Sequence, residues 1–122
     1  MKRTLLVIAL LGAGVFSGSS SVAAHHGAAT FDIATDLTLA GTVTDWLWFN
    51  PHCFLKFDVK DDSGKLTNWA VESGNPTDMT KRGWTRLSFK KGDAVTVVLQ
   101  PAKNGTPVGR IRSVTVNGKT FQ

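Results

Sequence analysis

Five stretches in which apolar and polar residues alternate with a period of two, one short interruption carrying helix start and stop signals, and the order of these six elements predict a mainly β protein. The expected architecture is a small five-stranded OB-like barrel with one short helix between strands 3 and 4, partly open as such barrels are. Three strands precede the helix, two follow it, and the first strand is long enough to bend and serve both sides of a barrel. A small open sandwich is the competing arrangement. The barrel is assigned to residues 36–122, preceded by a His-containing segment at 25–35 and a leader at 1–24.

In the first stretch, Leu37, Leu39, Gly41, Val43, Leu47 and Phe49 share one face, with Asp45 the exception, while Thr38, Ala40, Thr42, Thr44, Trp46 and Trp48 share the other. The aliphatic face is expected inside. Gly41 marks a bend or bulge, and a bulge would exchange the faces of every residue after it, the Trp pair included. Pro51 lacks an N–H and holds Asn50 extended, so the strand is expected to end at a corner. Alternation resumes from His52 to Lys60, with Cys53, Leu55, Phe57 and Val59 inward and His52, Phe54, Lys56, Asp58 and Lys60 outward. Asp61 to Gly64 is a hairpin turn. In the third stretch, Leu66 to Ser73, the set Thr67, Trp69, Val71 and Ser73 opposes Leu66, Asn68, Ala70 and Glu72, and Trp69 reads as core.

The period changes at Asn75. An N-cap residue, Pro76 at the first helical position, Asp78 in the first turn, Lys81 and Arg82 in the last and Gly83 at the exit define a helix of about two turns. Trp84, just after it, is placed to plug the bottom of the barrel. Lys90 to Asp93 is a turn into the strand of Val95, Val97 and Leu99. In the last main strand, Val108 to Val116, Ile111 and Val114 are out of phase and imply a bulge, and Asn117-Gly118 turns the chain into Lys119 to Gln122.

The N-terminus predicts export. Lys2 and Arg3, an apolar run of 12 residues from Leu5 to Phe16, and a small-residue tract ending in Val22-Ala23-Ala24 form a Sec-type signal peptide, removed near Ala24. The run is shorter than the roughly 20 residues a bilayer requires, so no membrane span is expected after processing, and the location is periplasmic or secreted. The formal net charge then falls from +5 to about +3, too weak and unclustered for a nucleic-acid-binding protein. The single cysteine, Cys53, excludes an intramolecular disulfide and is expected to be a buried small hydrophobe.

Chemistry concentrates in two places. One is His25-His26, which cleavage near Ala24 would leave at or beside a free α-amine, a combination suited to Cu(II) or another divalent ion. The other is Trp46 to Cys53, which holds two of the four Trp, one of the three His and the only Cys. The candidate metal ligands are His25, His26 and His52, with Glu72, the only Glu in the chain, as a fourth ligand or a carboxylate behind the His. About ten residues separate His26 from the first strand, enough to cross a domain this small. A Cys53–His52 nucleophile pair is disfavoured because neighbours on a strand point apart. With no paired carboxylates and no phosphate-binding Gly motif either, an enzyme is not expected. The alternative is a small-ligand, glycan or protein-binding face in which Trp46, Trp48 and Phe54 stack on the ligand beside Asn68. Another periplasmic protein is the expected macromolecular partner.

The segments His25-His26-Gly27 with Phe31-Asp32, Gly41-Thr42-Val43 running into Trp46-Leu47-Trp48-Phe49-Asn50-Pro51-His52, then Trp69, Glu72, Arg82-Gly83-Trp84 and Gly92 to Val97 resemble a family of small bacterial exported proteins, a domain of unknown function. The resemblance covers essentially the whole processed chain. It implies a periplasmic β-domain and carries no activity with it. Cys53 is not part of the shared pattern.

Overall fold

The structure, a computed structural model, describes residues 30–122. The expected signal peptide and both N-terminal histidines, His25 and His26, lie outside the described residues. The elements are β1 (Leu37–Leu47), β2 (Phe54–Lys60), β3 (Leu66–Glu72), α1 (Pro76–Lys81), β4 (Ala94–Pro101), β5 (Val108–Val116) and β6 (Lys119–Phe121).

The strands run β3-β2-β1-β4-β5-β6 across the sheet, and β3 also pairs with β5. That last pairing is parallel, Ala70 to Val108 through Glu72 to Arg110, whereas all other strand pairs are antiparallel. It closes the five-stranded barrel completely, where a partly open one was expected, with α1 between β3 and β4 as expected. Strand β6 is a short addition to the outer edge of β5. It follows a tight turn in which Asn117 and Gly118 both have positive φ, 49° and 76°, the conformation a two-residue hairpin demands.

The core is the inward half of each alternating strand: Val43, Leu55, Phe57, Val71, Val97, Leu99 and Val114 are fully buried, and Cys53 joins them. Trp69 is half-buried and packs against this cluster. The outward-facing Phe54, Lys56 and Asp58 keep partial exposure. The bulge expected from the phase of Ile111 and Val114 is present: Val98 opposes Ser113 and Leu99 opposes Ile111, leaving Arg112 as the extra residue.

The bulge in β1 lies elsewhere than Gly41. Val43 opposes Phe57 and Asp45 opposes Lys56, so Thr44 is the unpaired residue. It is held by Asn68, whose Nδ2 donates to Thr44 Oγ1 (3.0 Å) and to Asp58 Oδ1 (2.8 Å). Gly41 has a different role. A Cβ there would collide with the Asp58 carbonyl oxygen and stand 2.8 Å from the Phe57 ring, so the missing side chain lets β1 and β2 approach. The bulge at Thr44 exchanges the faces beyond it. Trp46 now opposes the core residue Leu55 and turns inward, while Leu47 opposes Phe54 on the outside. The expectation of a buried Phe49 is therefore reversed, since it is 47% exposed, while Leu47, Trp46 and Trp48 are all half-buried and both Trp pack against the core.

Helix α1 carries the predicted cap, with the Asn75 side chain accepting from the Asp78 N–H (2.9 Å) and Pro76 following it. Met79 is its buried residue, and Trp84 is fully buried below it. Trp84 forms the floor of the barrel with Trp46 (ring centroids 6.0 Å apart), Phe89 (5.8 Å) and Phe121 (5.1 Å). Its indole N–H donates to the Gln122 carbonyl at 3.1 Å, which satisfies a polar atom that burial would otherwise penalise. Among the described residues no helix is long and apolar enough to cross a membrane.

Candidate functional site

The closure of the barrel creates the site. Strand β3 pairs with β5 only as far as Arg110, and then leaves the sheet for α1. Strand β6 joins β5 only from Val114 onward. Between them, on that side, Ile111, Arg112 and Ser113 have no partner strand, and a crevice of about 820 Å³ occupies the notch. Its wall includes His52, Glu72, Arg82, Arg110 and Arg112, with Val98 and Ile111 as apolar surface.

His52 follows the Asn50–Pro51 bond, which is cis, and the chain is fixed there by Cys53, whose N–H donates to the Gly74 carbonyl (2.8 Å) and whose own carbonyl accepts from the Ser73 N–H (2.9 Å). This lays the corner against the end of β3. His52 Nδ1 stands 3.7 Å from Glu72 Oε2, longer than a hydrogen bond, with the imidazole 44% exposed and the carboxylate side chain 7% exposed. Two ligand atoms about 2.0–2.1 Å from one tetrahedral ion are separated by about 3.4 Å. The pair is therefore spaced to within a few tenths of an ångström for sharing a cation.

Two ligands do not complete a site, and among the described residues no group of three His, Cys, Asp or Glu side chains comes together. Cys53 is fully buried, and burial pushes its thiol pKa up, so it is held as a neutral core residue. The remaining candidates, His25 and His26, lead into a segment that is tethered sooner than its polarity suggests. Phe31 is buried and bridges to Ala102, the Asp32 N–H donates to the Pro101 carbonyl (2.9 Å), and the Lys103 N–H donates to the Thr30 carbonyl (3.0 Å). The leash from His26 thus ends at Phe31, five residues on, and reaches about 17 Å rather than the span of ten residues.

The expected stacking residues separate. Trp46 is tied into the floor: its Nε1–H donates to the Thr85 carbonyl (2.9 Å), and its ring meets Trp48 at 5.7 Å and Phe89 edge-on at 5.1 Å. Asn68 has both amide hydrogen bonds engaged at the Thr44 bulge, four residues along β3 from Glu72. Phe54 is directly opposite Glu72 in the β2–β3 ladder but is not part of the crevice wall, and its aromatic neighbour is Phe49 at 6.3 Å. One row around the barrel, Leu47, Phe54, Glu72, Arg110 and Gln100, is joined pair by pair through the ladders and runs from apolar residues through a charged pair to a buried amide.

Sequence reasoning did not find Arg82, Arg110 and Arg112 as wall residues. Nothing local marks them, because a strand, a bulge and a helix end are brought together only by the β3–β5 closure. The available signal was Arg110 and Arg112 flanking the out-of-phase Ile111, since a bulge re-aims side chains.

Comparison with known sequences adds the family and no activity. No curated protein matches this sequence. Residues 13–113, most of the chain, match a family of unknown function (DUF6152), and the protein belongs to that family.

Proposed function

We propose that the protein is an exported, non-enzymatic metal-binding module of the periplasm or the secreted fraction, with a copper-type site shared between the processed N-terminus and the barrel. His25 and His26 with the new α-amine supply nitrogen ligands, and His52 and Glu72 supply the other half. The observation that carries this reading is the 3.7 Å separation of His52 Nδ1 and Glu72 Oε2 at the wall of a polar crevice. The short leash from Phe31 limits where the histidines can go and keeps their effective concentration at the barrel high.

The test is to purify the exported form, establish its first residue by mass spectrometry, and titrate it with Cu(II) and with Zn(II). The expected result is one ion per chain, bound at least about tenfold less tightly after His52→Ala and after joint replacement of His25 and His26. Binding by the intact protein no tighter than by the variant lacking both N-terminal histidines would overturn the reading.

A second reading, a small-ligand, glycan or protein-binding face without metal, is favoured by the exposed Phe49 beside Phe54. The stacking surface it needs is this Phe pair rather than the Trp pair. The two readings part on one comparison: Phe49→Ala leaves metal affinity intact and removes stacking, and the histidine replacements do the reverse.

A further inference from the structure

Glu72 and His52 occupy one part of the crevice wall, and its guanidinium groups are not accounted for by the metal reading. Three arginines and two carboxylates, Glu72 and Asp36, line the same space. Asp36 Oδ1 lies 4.0 Å from Arg112 Nε, and both are more than half exposed, so this is a loose surface pair. Glu72 faces His52. Arg110 is the register partner of Glu72 across the β3–β5 ladder, yet forms no ion pair among the described residues. Arg82, at the end of α1, meets no carboxylate within ion-pair distance among the described residues either. Its Nη2–H donates to Met79 Sδ (3.2 Å) and its guanidinium lies 5.8 Å from the Trp84 ring centroid, contacts that aim the group without neutralising it.

We infer that the crevice binds a small organic anion carrying two carboxylates, one facing Arg110 and the other Arg82. Guanidinium forks match carboxylates in shape as well as charge. The volume of about 820 Å³ falls within the range of about 300–1,000 Å³ typical of small-molecule sites, well beyond what one inorganic oxyanion fills. Val98 and Ile111 give the carbon skeleton apolar surface, and the unpaired edge of β5 from Ile111 to Ser113 borders the same space. Two charged forks from separate elements, with an apolar wall between strands, specify a two-ended ligand better than a single anion. The inference stands on the arginines and requires no metal.

The experiment titrates succinate into the metal-free processed protein and follows backbone amides by NMR, with acetate and phosphate at matched ionic strength. Succinate is expected to shift the Ile111 to Ser113 amides saturably, with acetate weaker by about tenfold or more. Arg110→Gln and Arg82→Gln should each weaken succinate by about tenfold, Arg110→Lys by less, and Arg86→Gln, in the Thr85–Ser88 turn, not at all. The amide spectrum of each variant reports its fold. Shifts without saturation, or a folded Arg110→Gln protein that binds succinate as well as the parent, would overturn the inference. Phosphate binding as tightly as succinate would overturn the organic dicarboxylate. Because metal is absent throughout, a failed copper titration leaves this result standing, and a failed succinate titration leaves the metal reading standing.

Discussion

The aromatic floor and the polar crevice both draw on the stretch from Trp46 to Cys53 and are physical opposites. Trp46 and Trp48 enter the floor, where Trp46, Trp84, Phe89 and Phe121 enclose one another and the indole N–H groups of Trp46 and Trp84 each have a carbonyl partner. Four residues past Trp48, His52 stands 44% exposed on the crevice, 3.7 Å from a buried carboxylate. The bulge at Thr44 and the corner at Pro51 send the two halves to opposite sides of the barrel wall. Clustering of chemically rich residues in a sequence is therefore no measure of a site: half of this cluster packs into the floor, and the rest needs partners far along the chain.

Substitutions should divide along that line. The largest effect is expected for Trp84→Ala, which removes a fully buried indole and its hydrogen bond and should cost about 3–5 kcal/mol, read from urea denaturation. Gly41→Ala comes next, at about 1–3 kcal/mol, because the new methyl meets the Asp58 backbone, which cannot move without breaking the β1–β2 ladder. Trp46→Phe should cost about 1 kcal/mol for the lost bond to the Thr85 carbonyl and leave metal affinity unchanged. His52→Ala reverses the pattern: stability within about 0.5 kcal/mol of the parent, and metal affinity down by about tenfold or more. A Trp46→Phe protein that folds normally and loses metal would break the separation of floor and crevice.

What was legible in the sequence was what local chemistry decides. Asn75 and Pro76 cap the helix as their side chains require, Asn117-Gly118 makes the tight turn, and the phase slip between Ile111 and Val114 announces a bulge. Gly41 was legible as special but ambiguous, since a strand glycine signals either a bulge or a close approach. Here it signals the approach, while the bulge falls three residues on at Thr44, which has an ordinary strand residue's preferences and is held by a distant Asn68. That displacement of three residues carries Trp46, Leu47 and Phe49 to unexpected faces. His52 and Glu72 were expected to share a site, and the structure sets them 3.7 Å apart, with the Cys53 hydrogen bonds to Gly74 and Ser73 laying the corner against the end of β3. The arginine wall depends on a parallel pairing between strands some forty residues apart, which no local pattern encodes.

The smallest effect lies outside both regions, in the β2–β3 hairpin turn, and it locates an acid sensitivity of the barrel away from floor and crevice alike. Asp61 Oδ1 accepts from the Ser63 hydroxyl (2.7 Å), the Ser63 N–H (2.9 Å) and the Lys65 N–H (2.9 Å), and these bonds, that of the Ser63 side chain foremost, hold its carboxyl below the usual Asp pKa. A carboxyl whose pKa is lower folded than unfolded adds stability above the unfolded value of about 3.9 and loses it as pH falls through the folded value. Asp61→Asn keeps one acceptor oxygen and discards the charge. The variant should therefore be less stable than the parent at neutral pH, with the gap constant down to about pH 5, narrowing below about pH 4 and vanishing once the parent's carboxyl is protonated. Paired denaturation curves of parent and variant across that window measure it. A gap that stays constant to the lowest pH at which the protein folds would show that the turn works through its neutral hydrogen bonds alone, and would move the search for acid sensitivity to the carboxylates of the crevice.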